Sequence, residues 1–348
     1  MTQQDTTAEA VPDVGAGPAR ARRHRRVPTR ELSVFAALVA LVAVTAVVNP
    51  RFLDPQGLKD LLLNATIFIV MAVGQALVVI TRNVDLSVGS ILGMTAFSTG
   101  AIFSAFHDAP LVVVFVAGIV LGAVLGAING LIVTAVKVPA LVITLGTLYI
   151  YRGVLNAWAG STQYFIGDAP ASFGGLAVRS VLGLPLIALA AIVVAVVVGV
   201  ALYATRVGRD LYAVGSDPDA ARLFGLKVDA RVVLAFLVCG GLTGLAGVLY
   251  AARFNSVGAD TGTGFELQIV AAVVVGGVAI FGGSGSAVGA AIGAVLLTTM
   301  TGSLAALDVS KFWQQAIVGV LIIGSILIDR IIALRTAKRL LIEEDRVA

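Results

Sequence analysis

Few residues in this chain are equipped for covalent or metal chemistry. Its 348 residues include one cysteine, Cys239, and two histidines, His24 and His107. A structural or catalytic zinc needs three or four Cys, His or carboxylate ligands, and a Ser/His/Asp set needs a histidine held beside its nucleophile. Neither can be assembled here, and no glycine-rich segment ending in Lys-Ser or Lys-Thr is available to cradle a nucleotide. What remains is a small number of carboxylates in apolar surroundings. Asp85 lies in Asn83-Val84-Asp85-Leu86-Ser87 between two apolar runs, and Glu266 opens another, with Asp260 nearby. An aspartate at the centre of a membrane helix costs about 2.5–3.5 kcal/mol, so Asp85 belongs at an interface or paired inside a bundle. Two roles stay open for it. Followed by Ser87, Gly89 and Ser90, it is placed to cap the next helix, or it lines a path and transmits motion. Glu266 reads first as a cap or interface residue and second as a gate.

The elements that must position these residues are membrane spans. Of the chain, 58% is hydrophobic and 13% charged, with a mean hydropathy of +1.00, whereas soluble domains carry about 25% charge. The apolar residues come in blocks of about twenty, the length that crosses a bilayer as helix. Spans are expected near 32–49, 60–80, 86–106, 111–136, 139–158, 182–204, 231–252, 265–282, 286–306 and 313–333. The fold class is therefore an all-α integral membrane protein with about ten transmembrane helices and both termini cytoplasmic. With that topology three quarters of the 24 Lys and Arg fall on inward segments, as the positive-inside rule requires. Arg152 and Arg253 count among the outward ones. Residues 1–30 read as a disordered basic N-tail, 31–334 as the transmembrane domain and 335–348 as a cytoplasmic C-tail. The run Leu32–Val48 exceeds an ordinary signal-peptide core, although Val44-Thr45-Ala46 would serve as a cleavage site. Two connections exceed simple turns: an outward polar loop over 160–181, flanked by Trp158, Tyr164 and Phe165 as candidate interface anchors, and an inward loop over 206–231.

The inward loop carries the end signals of a short helix. Asp217 suits the N-cap, Pro218 the first helical position and Asp219 the positive end of the dipole, while Gly225 suits a left-handed residue after the last turn. Between them lie Ala220, Ala221, Arg222, Leu223 and Phe224. Two turns are marginal alone in water, so Leu223 and Phe224 need something to pack on, either the protein's own surface and lipid headgroups or a partner's groove.

The stretch Gly208–Val228 resembles the coupling loop of ATP-binding-cassette importer permeases of the ribose type. Asn83–Ser90 is similar to that family's Asp-Leu-Ser-Val-Gly signature, and Val142–Gly153, with Thr144, to its Thr-Leu-Gly-Thr segment ending in Arg-Gly. Gly262–Leu267 through Gly276-Gly277, and then Phe281-Gly282-Gly283-Ser284-Gly285-Ser286, resemble its glycine-rich late span pair. The resemblance covers about residues 34–333 with the motifs in order. The broader superfamily often has glutamate where Asp219 stands, and the N-tail lies outside the match.

The resemblance implies a permease subunit of a binding-protein-dependent importer in a bacterial inner membrane. It binds no cofactor, and ATP and Mg are used by a cytoplasmic ATPase docked on Asp217–Gly225. The other implied partners are a second permease copy or sister permease, an extracytoplasmic sugar-binding protein and membrane lipid, without nucleic acid. Rhamnose, ribose, xylose or a sugar-like autoinducer is the implied cargo. Asn83, Asp85, Ser87, Thr144, Glu266, Gly276, Gly277, Gly282 and Gly283 are the candidate pathway or gating residues. The rival reading is a secondary transporter or facilitator, which would typically show ion-coupling carboxylates at the midplane.

Overall fold

A computed structural model describes residues 29–165, 169–181, 183–310, 312–317, 319–320, 323–324 and 327. The helices are α1 (Thr29–Val48), α2 (Pro55–Ile80), α3 (Val88–Ala105), α4 (Leu111–Val136), α5 (Ala140–Ala159), α6 (Ala171–Val178), α7 (Leu186–Ala204), α8 (Arg206–Ser216), α9 (Pro218–Leu223), α10 (Val228–Phe254), α11 (Phe265–Val275) and α12 (Ala287–Ala306). A 3-10 turn, Pro50–Leu53, joins α1 to α2. Two-residue strands close the loops at one end: β1 (Tyr164–Phe165) pairs antiparallel with β4 (Ser256–Val257), and β2 (Ser180–Val181) with β3 (Leu184–Pro185).

Seven helices among the described residues are long and apolar enough to cross a membrane: α2, α3, α4, α5, α7, α10 and α12. The described part of α1 adds the apolar run Leu38–Val48. The expected tenth span lies largely outside the described residues, as do the N-tail up to residue 28 and the C-tail. The expected span over 265–282 is not one helix. Helix α11 has 11 residues, about 16 Å at 1.5 Å per residue, or half the hydrocarbon thickness. Gly276 and Gly277 end it, and Gly277 at φ +96° takes a conformation that side-chain-bearing residues avoid.

Helices α2 and α10 form the centre of the bundle, and the cytoplasm-facing half of α2 in the expected topology, Val70 to Ile80, is buried throughout. Glycines set the closest approach. Gly118, Gly122, Gly126 and Gly130 recur every fourth residue on α4 and lie against Gly240, Gly244 and their neighbours on α10, where a methyl on Gly122 would overlap the Gly240 carbonyl. Small-residue faces let membrane helices reach backbone contact and gain dispersion energy that lipid cannot supply. The opposite side of α4 (Val112, Val116, Val120) and the outer side of α7 (Val193, Val196, Val200) stay exposed and apolar, as lipid-facing surface should.

Candidate functional site

Helix α9 is built by local signals. The Asp217 carboxylate accepts from the backbone N–H groups of Asp219 and Ala220, each at 3.0 Å, Pro218 occupies the first turn, and Gly225 turns the chain at φ +82°. Arg222 pairs with Asp219 at 3.3 Å and with Asp229 at 3.2 Å; both pairs are solvated and worth little energetically. Ala221 faces inward, while Leu223 and Phe224 are 89% and 87% exposed. The helix thus rests on the chain through Ala221, while the described residues leave Leu223 and Phe224 uncovered.

Sequence reasoning missed the helix that carries α9. In α8, Leu211 and Val214 are buried and Gly208 and Gly215 sit at backbone contact with neighbours; the signal was an amphipathic run, Arg206 to Ser216, inside what read as loop. Thr205 caps it, accepting from Gly208 N–H at 3.0 Å. The Arg231–Asp210 pair at 2.8 Å, partly buried, ties α8 to α10.

The far end of α8 meets a junction. Arg82, at φ +66°, donates its guanidinium to the carbonyls of Gly215 and Ser216. Gly283 N–H donates to Ile80 O at 2.9 Å, and Gly282 and Gly283 leave space only for backbone against Arg82, Gly215 and Ser216. Tyr212 OH donates to Gly285 O at 2.8 Å, and burial raises the pKa of this hydroxyl. The end of α2, the end of α8 and the glycine-rich break after α11 thus form one hydrogen-bonded piece. Gly276 supports the break from the other side, in backbone contact with Gly289 of α12. A cavity of about 600 Å³ opens beside the junction, with Asn83, Lys137, Pro218, Arg222 and Asp229 in its lining.

Three residues past Arg82 the chain turns into the bundle, where Asp85 is fully buried. One of its oxygens accepts from Ser87 N–H at 2.8 Å and Ser87 Oγ at 2.7 Å. Asn129 of α4 donates its amide to Ser87 Oγ at 2.7 Å and, more loosely, to the carboxylate. Tyr151 of α5 donates to Asn129 Oδ1 at 3.0 Å, and Thr144 Oγ1 to Val84 O at 3.1 Å. The N-cap position of α3 falls on Ser87, so Asp85 does not itself cap the helix; it wires the entry of α3 to α4 and α5. Asn129 and Tyr151 were not singled out from sequence. A lone amide in the otherwise apolar run of α4 was the available signal, since such a group needs a partner away from lipid.

Glu266 and Arg152 belong to a separate layer. The connection from Val257 to Gly264 runs back into the bundle, and Arg152, midway along α5, donates to Ala259 O at 2.9 Å, Thr261 O at 2.7 Å and Gly89 O at 3.3 Å. Arg152 is therefore not an outward loop charge, as charge counting had it. It satisfies buried irregular backbone, the condition on which such backbone is tolerated at membrane depth. Glu266 Oε1 accepts from Gly264 N–H at 3.2 Å, and its carboxylate lies on Gly89. Near β1, Tyr164 turns inward onto Phe97, ring centroids 4.9 Å apart, instead of anchoring at the membrane surface, while Phe165 is exposed.

An apolar helical bundle with buried polar contacts and a projecting capped knob is the build of a multi-pass membrane transport protein. The family model for "branched-chain amino acid transport system / permease component" matches residues 57–326, and the chain belongs to that family. Among curated relatives, the autoinducer 2 import system permease protein LsrC of Enterobacter sp. (strain 638) is 36% identical over 300 residues, 86% of each chain. The protein of that name from Escherichia coli (strain K12 / DH10B) is 35% identical over 86% of each chain, and that from Salmonella typhimurium (strain LT2) is 35% identical over 86% of this chain and 85% of its own. No solved structure matches. The protein is a permease subunit of an ATP-binding-cassette importer in the inner membrane, a transporter component and not an enzyme; its family implies ATP use by a partner ATPase and delivery by a binding protein.

Proposed function

We propose that this chain, paired with a second permease, forms the passage for a monosaccharide or sugar-like solute and is driven by an ATPase docked on α9. Import of autoinducer 2 by the relatives supports the cargo class. The observation that carries the docking is the almost complete exposure of Leu223 and Phe224 on a helix whose cap and base are both fixed. An apolar pair held rigidly in water is suited to a partner's groove, because little ordering entropy is left to lose on binding. With it goes the domain reading: ten membrane crossings within 31–334, the one through α11 only partly helical, cytoplasmic tails over 1–30 and 335–348, and the 206–231 loop inside the cell.

In this mechanism Mg-ATP closes two ATPase subunits and draws the α9 helices of two permeases together. Helix α8 transmits the displacement to Arg82, and the hydrogen-bonded junction hands it to the end of α2 and the Gly276–Gly285 break. Asp85, Ser87 and Asn129 carry it on to α3, α4 and α5. ATP binding, rather than the cargo, stabilises one state over the other, as a driven change of access requires. The test is co-purification of the tagged chain with its ATPase from native membranes. Retention by the wild type and loss in L223D/F224K support the reading; a chain that purifies alone, under conditions that hold known importers together, refutes it.

A further inference from the structure

A second cavity lies at the opposite end of α2 from the α8–α9 junction, about 360 Å³ in volume, the size for a small solute. Its walls come from the 3-10 turn, α2, the end of α10, the first residue of α11 and α12, and the residues that decide its chemistry are Asp60, Asn64, Phe68, Phe265, Thr298 and Thr301. Asn64 and Phe68 stand one turn apart on α2. Phe68 and Phe265 bring their rings to 4.9 Å at a 44° tilt.

The polar groups define what fits. Thr298 donates its hydroxyl to Ala294 O and Val295 O, and Thr301 to Leu297 O and Thr298 O, so both hydroxyls meet the cavity as acceptors. Asn64 is exposed, and among the described residues no hydrogen bond engages its amide, leaving two donors and an acceptor for a guest. Asp60 is already engaged: one oxygen takes Arg253 Nη2 at 2.8 Å and the other Gln56 Nε2 at 3.1 Å. Among the described residues the lining therefore offers no uncompensated charge. A zwitterionic amino acid would find hydrogen bonds there but no free counter-charge for its ammonium or its carboxylate, and would lose hydration of both charges without an ion pair in return. A neutral polyol meets no such cost. Its hydroxyls donate to the threonines and exchange bonds with Asn64, and its C–H face lies on the phenylalanine rings.

We propose that this cavity is a cargo-binding cup for a neutral polyhydroxylated solute, with Asn64 as the specificity-determining residue and Phe68 and Phe265 as its apolar floor. The proposal rests on the importer reading above and adds where, and by which groups, the cargo is selected.

The experiment is uptake of radiolabelled D-ribose, L-rhamnose, D-xylose and L-leucine by cells carrying the complete importer with wild-type chain, N64L, N64Q or F68A, with ATPase co-purification measured for each. The expected result is sugar uptake by the wild type and at least a tenfold loss in N64L and F68A, with the ATPase retained; N64Q is folded and changes the ranking among the three sugars. Sugar uptake by N64L, F68A and N64Q equal to wild type overturns the cup and leaves the importer reading standing. A wild type that takes up leucine and none of the sugars overturns the cup and the sugar reading together.

Discussion

Two aspartates begin two helical entries in this protein and do different work. Asp217 accepts from backbone N–H groups two and three residues on, in solvent, and the result is a short helix holding Leu223 and Phe224 outward. Asp85 makes the same local bond, to Ser87 N–H two residues on, but it is sealed in the bundle and shares Ser87 and Asn129 with α4. The local chemistry is equal and the surroundings decide the rest. In water the unused lone pairs of Asp217 are solvated, so its removal costs only the cap. In the bundle every lone pair of Asp85 needs a protein donor, and removing it strands those donors.

The comparison is sharpest where the exposed entry meets a partner. L223D/F224K should abolish uptake and lower ATPase affinity on the order of a hundredfold or more, as loss of two central apolar anchors does, while thermal stability in detergent stays at the wild-type value. Asp85→Ala should do the reverse. It leaves the Ser87 N–H and the Ser87 hydroxyl without their acceptor and should destabilise the bundle by about 3 kcal/mol, read as a lower melting temperature in detergent with the ATPase still bound to the folded fraction. An Asp85→Ala protein as stable as wild type would break the comparison. Gly225→Val should cost about 1–2 kcal/mol through its left-handed backbone alone, since nothing lies within 4 Å of the methyl position; Gly225→Asn should recover most of the lost uptake. The smallest effects are those of single hydrogen bonds. Asp217→Ala should cost about 1 kcal/mol of helix stability and lower uptake severalfold, with Asp217→Ser restoring it. Tyr151→Phe should cost about 1 kcal/mol, seen in the melting temperature and not in ATPase binding.

The legible parts of this protein were those fixed within a few residues of chain. Span lengths follow from the apolar blocks, and α9 from Asp217, Pro218 and Gly225, because cap, first turn and left-handed exit each depend on side chains adjacent to the backbone they satisfy. The less legible parts were those whose partners are remote in sequence. Asn129 stands 44 residues from Asp85, and the carbonyls that hold Arg152 lie 107 and 109 residues beyond it. Charge counting took Arg152 for an outward charge, and hydropathy took α11 for a full span.

By itself the sequence determined a multi-pass helical membrane protein with a rigid apolar knob on one loop, because a bilayer accepts apolar helices of one length and a capped turn needs no neighbours. Tertiary structure alone decided that α11 is a half-length helix reached by irregular backbone, that Arg82 welds α8 to the end of α2, and that Asp85 joins three helices. The first and last satisfy polar groups inside the bundle and the second joins segments remote in sequence, and only the packed bundle determines which donors and acceptors are brought within reach.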